Sequence, residues 1–427
     1  MIYEPQEDSY LMYEQIKKVV KSKHNVLEIG VGSGILAFET IKQANEFIGV
    51  DINPNAIEFC KKKLKEKVKN KKIESSQAKK SKFITSDLFE KIQKKKEKKF
   101  DIIIFNPPYL PHDPREPKDC ALATCGGKHG YELIEKFLDQ AHLFLKPRGQ
   151  IFLLFSSLTK KEKVDEFVKN NLLESELVAE KKIPFEKLYI YNITKHKLHK
   201  LLEKKGVSNI KKLTSGHRGF IFTGNYKQEN KKTYQKDKSK SKTKKENITK
   251  IAIKIQRSDI DAIGTVNNES SKLKSLNKYN IGPELLFYGN NYFAYEFVEG
   301  IFPLEFYQEA KRSEIIASIK TVFDQMFKLD QLGLNKEEMH HPVKHIVISK
   351  TKQNKIISTL LDFERCKHTP NPQNITQFCQ FITSGLVKPL LEQKKINIDK
   401  KLIRKLAKQY KENQTKENFE LILKEIN

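Results

Sequence analysis

The feature that most constrains the fold is a short apolar run that leads straight into a glycine-rich segment. Residues 26–34 read Val-Leu-Glu-Ile-Gly-Val-Gly-Ser-Gly, and a helical pattern follows at once. Glycines at such a point let the backbone turn sharply and let a ligand approach the N-terminus of the helix. Asp51 ends the next apolar run, about 20 residues further on, where a carboxylate can accept hydrogen bonds from ribose hydroxyls. These residues predict a βαβ unit that binds a nucleoside-containing cofactor, and on their own they leave a nicotinamide cofactor open.

The alternation of apolar runs and amphipathic stretches continues through residues 1–195. Short apolar runs flanked by Gly, Asp and Pro are typical of buried parallel strands. Such runs lie at 26–29, 46–50, 82–85, 100–105 and 150–155, with helical patterns such as 35–43 and 131–144 between them. We therefore expect an α/β domain with a Rossmann-like, doubly wound sheet. Two more apolar runs within 176–194 are expected to close the sheet as an antiparallel pair.

Charge and cysteine content limit the environment and the partners. The 427 residues include 80 Lys and Arg against 53 Asp and Glu, a net charge of +27, which favours anionic partners such as RNA or the ribosome. A composition biased toward lysine explains the same charge without such a partner. No apolar run approaches the roughly 20 residues that span a bilayer, and the N-terminus lacks the pattern of a signal peptide. Because five scattered cysteines also argue against a disulfide framework, we expect a cytoplasmic protein with no membrane association.

A second motif follows the fourth predicted strand, at the end of a strand where α/β sheets hold their substrates. It reads Asn106-Pro107-Pro108-Tyr109. A planar NH2 group is a poor nucleophile because its lone pair is delocalised. The side-chain oxygen of Asn106 and the carbonyl of Pro107 can accept its two hydrogens and so favour development of the lone pair. The prolines stiffen the turn, Tyr109 offers a face for stacking, and neither a metal nor a general base is required.

Together the two motifs resemble those of class I S-adenosylmethionine-dependent methyltransferases. They are most similar to the HemK-type family, the protein-glutamine N5-methyltransferases of release factors. The resemblance covers residues 1–194. It includes Tyr-Glu-Pro-Gln-Glu-Asp-Ser-Tyr-Leu at 3–11 and Gly-Gly-Lys-His-Gly at 126–130, which are similar to segments of the archaeal and eukaryotic branch of that family.

The resemblance implies a cofactor, a substrate and a role for each motif residue. The cofactor would be S-adenosyl-L-methionine, and the substrate a class I release factor. The residues that would bind the cofactor are Glu28, Gly30, Gly32, Gly34, Asp51, Asp87 and Leu88. The residues that would hold the acceptor for catalysis are Asn106, Pro107 and Tyr109. Members of this branch use a small zinc-binding activator protein, and the third predicted strand, which we place at an edge of the sheet, is where it would dock.

Other functions stay open. The Asn-Pro-Pro-Tyr motif also serves nucleic-acid adenine N6-methyltransferases, since both acceptors are amines on planar systems, and some members of the branch methylate lysine. A function of a different class is an RNA- or ribosome-associated scaffold whose second domain only binds nucleotide. The motif therefore indicates the chemistry of the acceptor and does not name the acceptor.

The second half of the chain contains a different series of motifs. Gly216 and Gly219 lie in a turn between two strand patterns, Lys254 ends a later strand, Glu269 lies on a predicted helix, and Asp362 follows another strand. This order resembles the protein-kinase-like fold, closest to the small archaeal and RIO-type kinases. The resemblance implies an α+β domain with ATP and Mg²⁺ as ligands. In it Lys254 would hold phosphates and pair with Glu269, and Asp362 would hold Mg²⁺.

The predicted catalytic loop of this second half departs from the kinase pattern. Where His-x-Asp is expected, residues 335–341 read Asn-Lys-Glu-Glu-Met-His-His, and Glu338 lies near the place of the catalytic Asp as a candidate base. The metal-binding Asn is absent, and Asp362-Phe363-Glu364 lacks the usual Gly. Phosphotransfer is therefore open, with nucleotide binding alone or a scaffolding role as alternatives.

The two series of motifs predict two domains, a methyltransferase domain at 1–195 and a kinase-like domain at 196–427. Residues 227–249 are rich in Lys, Ser and Thr and contain almost no apolar residue. By composition this segment reads as an interdomain linker. The order of the motifs makes the flanking strands neighbours, so we predict a disordered insertion at the tip of their hairpin.

Overall fold

The structure is a computed structural model that describes residues 2–92, 98–112, 124–215, 219–228, 248–256 and 265–426. The chain divides into two compact units. The first is built mainly from Met1–Lys212, and the second from Leu213–Tyr226 together with the C-terminal residues. Within the described ranges, no helix is both long enough and apolar enough to cross a membrane.

The first unit contains a seven-stranded sheet in the order β3-β2-β1-β4-β5-β7-β6. Its strands are β1 (Asn25–Ile29), β2 (Glu46–Asp51), β3 (Ser81–Thr85), β4 (Phe100–Phe105), β5 (Leu145–Ser156), β6 (Leu173–Ile183) and β7 (Glu186–Lys195). The first five strands in this order, β3, β2, β1, β4 and β5, pair in parallel. Strand β7 is antiparallel to both β5 and β6. The predicted α/β sheet, the edge position of its third strand and the closing antiparallel pair are all confirmed.

Helices cover both faces of this sheet. They are α1 (Glu7–Val19), α2 (Ile35–Gln43), α3 (Pro54–Lys69), α4 (Ser75–Lys79), α5 (Glu132–Phe144), α6 (Lys161–Asn170) and α7 (Lys197–Lys204). Successive side chains of a strand point to opposite faces, so Ile102 and Ile104 of β4 join one apolar core while Ile103 joins the other. Burial on both faces is why the strands read as unbroken apolar runs, and why four of the five predictions hold to within one residue at each end. The fifth strand, β5, begins earlier than predicted because Leu145 pairs with Phe100 ahead of a register shift.

The second unit contributes a five-stranded sheet in the order β11-β12-β10-β9-β8 and two short two-stranded sheets. The strands are β8 (Val207–Ser215), β9 (Gly219–Lys227), β10 (Ile248–Gln256), β11 (Leu285–Gly289), β12 (Tyr292–Glu296), β13 (Leu334–Lys336), β14 (Ile346–Lys350), β15 (Ile356–Leu360) and β16 (Cys366–His368). The boundary between the two units falls within β8. β9 and β10 are hydrogen-bonded neighbours in this sheet, as a hairpin requires. Most of the lysine-rich segment between them lies outside the described residues, so the hairpin insertion stays a prediction.

The first helix of the second unit lies between β10 and β11 in the chain, and its other helices come after the five strands of the larger sheet. In chain order, the helices of this unit are α8 (Thr265–Leu276), α9 (Pro303–Glu309), α10 (Arg312–Gln331), α11 (Asn374–Ile382), α12 (Lys388–Gln393), α13 (Lys400–Glu412) and α14 (Lys416–Lys424). The long α10 buries Ile315, Ile319, Val322 and Phe323, whose spacing places them on one face of a helix. That face carries the core, and the ring of Phe323 packs edge-on against Phe378 of α11 with centroids 4.8 Å apart.

Candidate active site

A cavity of about 710 Å³ opens in the first unit at the carboxyl ends of β1, β2 and β4. This is the end of a parallel sheet at which α/β proteins bind ligands. Nine of the ten residues predicted for this site line the cavity, namely Glu28, Gly30, Gly32, Asp51, Asp87, Leu88, Asn106, Pro107 and Tyr109. The tenth, Gly34, precedes α2 at its N-terminus.

The glycine loop adopts a backbone that ordinary side chains disfavour. Gly30, Gly32 and Gly34 have φ values of 72°, 48° and 79°, in the left-handed region. The loop is tied to β2 because the backbone nitrogen of Gly32 donates to Oδ2 of Asp51 at 2.9 Å. The backbone nitrogen of Asn53 donates to Oδ1 of the same carboxylate at 2.9 Å. Burial raises the pKa of Asp51, and these backbone hydrogen bonds oppose the rise.

Glu28 is a buried carboxylate with an unsatisfied oxygen. Its side chain lies on β1 at 1% exposure, and its Oε2 has no hydrogen-bond partner among the described residues. Burial and the nearby charge of Asp51 raise the pKa of Glu28 well above its usual value. A carboxylate in this environment is stabilised by a proton or by a bound cation.

Asp87 and Leu88 follow β3 and form another wall of the cavity. The carboxylate of Asp87 is paired with Nζ of Lys136 on α5 at 2.7 Å, and both side chains line the cavity. Leu88 is buried and has a φ of 42°, which turns the chain at this point. This wall of the cavity, which we predict to bind the cofactor, therefore combines a buried apolar residue with an ion pair.

The amide of Asn106 is held from one side only. Its Nδ2 donates to Oδ2 of Asp8 at 2.9 Å, across 98 residues of sequence. Its Oδ1 is buried and has no hydrogen-bond partner among the described residues. An unsatisfied buried acceptor is rare in folded proteins because it forfeits its hydrogen bonds to water. In a ligand cavity it identifies a position for a donor from a bound molecule.

The turn after Asn106 is supported by the glycine segment at 126–130. A Cβ placed on Gly126 would lie 2.6 Å from the carbonyl oxygen of Pro108, and one on Gly130 would lie 2.4 Å from that of Tyr109. These segments are in backbone contact, and only glycine allows it. Burial, with the charges of Asp8 and Glu186, raises the pKa of Tyr109, so its hydroxyl stays protonated across the physiological range.

The second unit brings together four charged side chains that the kinase-like prediction singled out or implied. Nζ of Lys254 on β10 lies 2.6 Å from Oε2 of Glu269 on α8, 3.4 Å from Oδ1 of Asp362 and 3.8 Å from Oε2 of Glu364. Burial alone would lower the pKa of Lys254, but the three carboxylates outweigh it and raise that pKa. Among the described residues, oxygens of Glu269, Asp362 and Glu364 also form a group compact enough for a metal ion, lying within 4.8 Å of one another.

Other predicted residues of the second unit are placed differently. Gly216 lies outside the described residues, while Gly219 begins β9, where a Cβ would lie 2.5 Å from the carbonyl oxygen of Ile255. Glu338, the candidate base, has a φ of 72° and forms an ion pair with Arg365. Nε2 of His345 lies 3.7 Å from the same carboxylate, but burial lowers the pKa of His345, so of these two groups only Arg365 offers a positive charge to Glu338.

Comparison with known proteins gives matches in the first unit. Residues 20–206 match a family model described as a methyltransferase domain. A "Putative protein N5-glutamine methyltransferase" of Methanocaldococcus jannaschii is 39% identical over 194 residues, which are 45% of this chain and 90% of that relative. The N-terminal part of the chain belongs to the HemK-type protein N5-glutamine methyltransferase family. We refer below to the first unit as the methyltransferase unit.

Two further matches concern the same part of the chain. A release factor glutamine methyltransferase of Fusobacterium nucleatum subsp. nucleatum is 29% identical over 161 residues, 34% of this chain and 42% of that relative. Among solved structures, the E. cuniculi Mtq2–Trm112 complex responsible for methylation of the eRF1 translation termination factor contains a chain 23% identical to this one. The match covers 45% of this chain and 98% of that chain, with a TM-score of 0.35.

S-adenosyl-L-methionine fits the groups that the methyltransferase unit presents. The cofactor carries one positive charge on the sulfur that bears the methyl group, a second on the amino group of its methionine part, and a ribose diol further along. Glu28 offers a buried carboxylate oxygen without a partner among the described residues, which suits a cation. Both oxygens of Asp51 accept backbone hydrogen bonds and retain lone pairs for hydroxyl groups. The three glycines leave the loop without side chains that would obstruct the ligand.

Sequence reasoning misses two carboxylates of the cavity. Asp8 lies in the segment 3–11, which the sequence marks only through its resemblance to the family, and nothing local indicates that it contacts Asn106. Glu186 begins β7 beside the fully exposed Phe185, and its Oε2 is buried with no hydrogen-bond partner among the described residues. A hairpin tip has no sequence pattern that would place it at the cavity.

Proposed function

We propose that the methyltransferase unit transfers a methyl group from S-adenosyl-L-methionine to the side-chain amide nitrogen of a glutamine in a class I release factor. The observation that carries this proposal is the buried Oδ1 of Asn106, which lacks a hydrogen-bond partner among the described residues and lies in the same cavity as the glycine loop and Asp51. The membership of the family and the name of the Fusobacterium relative support glutamine and release factor as acceptor and substrate.

The residues of the chain bind and orient the acceptor. Oδ1 of Asn106 accepts one hydrogen of the acceptor NH2 group, and the carbonyl of Pro107 accepts the other. Both bonds strengthen as the nitrogen lone pair localises, so they stabilise the transition state more than the ground state. The ring of Tyr109 packs on the planar amide and excludes water. S-adenosyl-L-methionine, when bound, would supply an electrophilic methyl group whose bond to sulfur breaks as the bond to the acceptor nitrogen forms. The nitrogen would lose one proton to solvent.

The test of this proposal is a methyl-transfer assay with three acceptors offered separately. Purified full-length chain and radiolabelled cofactor are combined with a class I release factor, with duplex DNA and with total RNA. We expect label in the release factor and its loss when the acceptor glutamine is replaced by Ala. Label in adenine of DNA or RNA, with none in the release factor, would establish the nucleic-acid alternative instead.

We also propose that a small zinc-binding activator protein docks on the outer edge of β3, where the described residues place no neighbouring strand. The support is geometric, since β3 ends the order of the seven-stranded sheet. The carbonyl oxygen of Lys80 accepts from the backbone nitrogen of Phe47, and the backbone nitrogen of Ser86 donates to the carbonyl oxygen of Asp51. The backbone groups at the even-numbered positions from 80 to 86 therefore face β2. The backbone groups of Phe83 and Thr85 therefore face away from β2, where an added strand can pair with them.

For the second unit we propose a kinase-like domain that binds ATP with Mg²⁺. Three observations support it: the pairing of Lys254 with Glu269, the carboxylates of Asp362 and Glu364 beside them, and the position of α8 between β10 and β11 in the chain. In the kinase-like arrangement these groups hold the phosphates and the metal. Phosphotransfer by this unit is a separate hypothesis, because the carboxylate of Glu338 is paired with Arg365.

A further inference from the structure

Asp8 contacts the two segments that form one wall of the cavity. The side chain is 4% exposed, and its Oδ2 accepts from Nδ2 of Asn106 at 2.9 Å. Its Oδ1 accepts from the hydroxyl of Tyr3 at 3.1 Å and from the backbone nitrogen of Ser9 at 2.6 Å. The hydroxyl of Ser9 also donates to Oδ1, at 3.2 Å. Oδ1 is thus occupied by donors from the N-terminal segment, and Oδ2 is left for Asn106.

This contact removes the ambiguity of the Asn106 amide. The oxygen and nitrogen of an amide are nearly the same size, so packing alone does not decide which way the group points. An ionised carboxylate can only accept hydrogen bonds. The nitrogen of Asn106 must therefore face Asp8, and its oxygen must occupy the opposite position, where it has no hydrogen-bond partner among the described residues.

We infer that Asp8 is a positioning residue that fixes the Asn106 amide with its oxygen toward the acceptor, so that the site takes an NH2 donor. The inference deepens the proposed function and rests on it. With the amide reversed, Asn106 would present a donor to the hydrogens of the acceptor nitrogen, and the attraction would become a repulsion. Asp8 therefore supplies the polarity of the site although it need not touch the acceptor.

The substitution Asp8→Asn tests this polarity because it changes the shape of the side chain very little. The backbone N–H of Ser9 requires an acceptor, so the new amide must place its oxygen there and its nitrogen toward Asn106. Asn106 then accepts from residue 8 and turns its own nitrogen toward the acceptor site. We expect kcat to fall roughly 100-fold, the size of effect seen when a group aimed at the reacting centre is lost. The Kd for S-adenosyl-L-methionine is expected to stay within a few-fold of the wild-type value.

The exchange of both residues separates positioning from a merely structural role. In the double variant Asp8→Asn with Asn106→Asp, residue 8 donates to a carboxylate at 106, whose second oxygen again faces the acceptor. The double variant has the same net charge as the wild type. We expect the kcat of the double variant to be at least tenfold higher than that of Asp8→Asn. If Asp8 only braced the N-terminal segment, the second substitution would recover nothing, and that result would overturn the inference.

The outcome is distinguishable from a failure of the proposed function. If the full chain methylates no glutamine acceptor, the proposed function is wrong. If the chain methylates glutamine and Asn106→Ala retains that activity, the role of Asn106 is wrong and the inference is wrong with it. If Asn106→Ala is inactive while Asp8→Asn keeps wild-type kcat, only the inference is wrong.

A spectroscopic measurement tests the inference without any acceptor. The side-chain amide signal of Asn106 is assigned in ¹⁵N-asparagine-labelled chain by its loss in Asn106→Ala. In the wild type, this amide signal is expected to show the downfield shift that a hydrogen bond to a carboxylate causes. In Asp8→Asn the downfield shift is expected to disappear, and a signal that does not respond to that substitution would refute the contact.

Discussion

The backbone nitrogen of Gly32 donates to the carboxylate of Asp51 at 2.9 Å, so the residue that ends β2 also holds the glycine loop. The same carboxylate accepts from the nitrogen of Asn53. Asp51 therefore joins the loop, the second strand and the start of α3 at one point of the cavity. A ligand bound to this carboxylate contacts a site that is already organised, which limits the entropy lost on binding.

Separate roles for Asp51 and Asn106 predict separate effects of their removal. Asp51→Ala is expected to raise the Kd for S-adenosyl-L-methionine about 100-fold, since bonds to a charged acceptor contribute roughly 1.5–3 kcal/mol each. Asn106→Ala is expected to abolish methyl transfer and to leave that Kd within a few-fold. Isothermal titration and single-turnover transfer measure the two quantities. The control is Asp101→Ala, which removes an ion pair with Lys146 at the opposite end of the sheet. Weak cofactor binding by the Asn106 variant would contradict this separation.

The raised pKa of Glu28 predicts that cofactor binding depends on pH. Without a cation nearby, Glu28 keeps its proton to a higher pH than a solvated carboxyl, whose pKa is about 4.3. A bound cation favours the carboxylate, so binding releases a proton and the affinity falls as the pH is lowered through the raised pKa. Titration at a series of pH values is expected to show this fall, and Glu28→Gln is expected to bind weakly at every pH. An unchanged pH profile in the variant would be evidence against Glu28 as the titrating group.

The same pKa shift predicts the sign of a stability change. The folded state holds the proton of Glu28 more tightly than the unfolded state does, so its contribution to stability is lost as the pH rises through the raised pKa. Glu28→Gln is therefore expected to raise the melting temperature of the ligand-free chain at pH 7. Glu39 is a matched control. Burial opposes its ionisation, but hydrogen bonds from Lys42 and Tyr13 hold the pKa of Glu39 below its usual value. Glu39→Gln is expected to lower the melting temperature, and equal effects of the two substitutions would refute the assignment.

The contact between Gly126 and the carbonyl of Pro108 predicts that an added methyl group displaces the acceptor loop. The nearest atoms to a Cβ at Gly126 belong to the backbone, so no side chain can rotate away to make room. Gly126→Ala is expected to lower kcat about 10- to 100-fold, because a misplacement of about 1 Å at a reacting centre can cost about 100-fold in rate. The Kd for the cofactor should change little. Gly385→Ala is the control, since a Cβ there would meet nothing within 4 Å. Wild-type kcat in the Gly126 variant would show that the loop can adjust.

The outer edge of β3 predicts which backbone position an activator contacts. Thr85→Pro removes an N–H that faces away from β2, so it should weaken complex formation while leaving the sheet intact. Ile84→Pro removes an N–H on the side of β2 and should destabilise the unit itself. A pull-down with the activator, together with the Kd for the cofactor as a check of folding, measures both effects. Thr85→Ala controls for loss of the side chain. A folded Thr85→Pro variant that binds the activator as tightly as Thr85→Ala does would argue for another docking surface.

The sequence predicts what is local and misses what long-range contacts create. The strands of the first sheet are recognisable because residues such as Ile102, Ile103 and Ile104 are buried on both faces. The roles proposed for Asp51 and Asn106 rest on motifs that end individual strands, and both residues line the cavity. The bond between Asp8 and Asn106 spans 98 residues, and the contact of Gly126 with Pro108 joins two loops. Neither leaves a periodic pattern, so each becomes visible only when the chain is folded.

The cluster around Lys254 predicts that nucleotide binding stabilises the second unit. ATP with Mg²⁺ should raise the temperature of one melting transition of the full chain. At a ligand excess of 100 Kd, the free energy of unfolding of that unit should rise by about 2.7 kcal/mol. S-adenosyl-L-methionine should raise the other transition. Lys254→Ala should lower the free energy of unfolding of this unit by roughly 3–5 kcal/mol, because Glu269 is left buried without its cation. Relative to its own ligand-free state, this variant should also lose most of the shift caused by ATP. Lys254→Arg, which keeps the charge, is the matched control.

Substitutions of Asp362 and Glu338 distinguish binding from chemistry in the same experiment. Asp362→Ala should remove the dependence of the thermal shift on Mg²⁺, because the group of three carboxylates loses one member. Glu338→Gln should leave the shift intact, and it should stop any transfer of the γ-phosphate if Glu338 accepts the proton of the substrate. The ion pair with Arg365 restrains the position of the Glu338 carboxylate, which opposes that role. A shift with ATP but no transfer of labelled phosphate to any protein or peptide would make this unit a nucleotide-binding pseudokinase. The absence of a shift with every nucleotide would leave it as a scaffold.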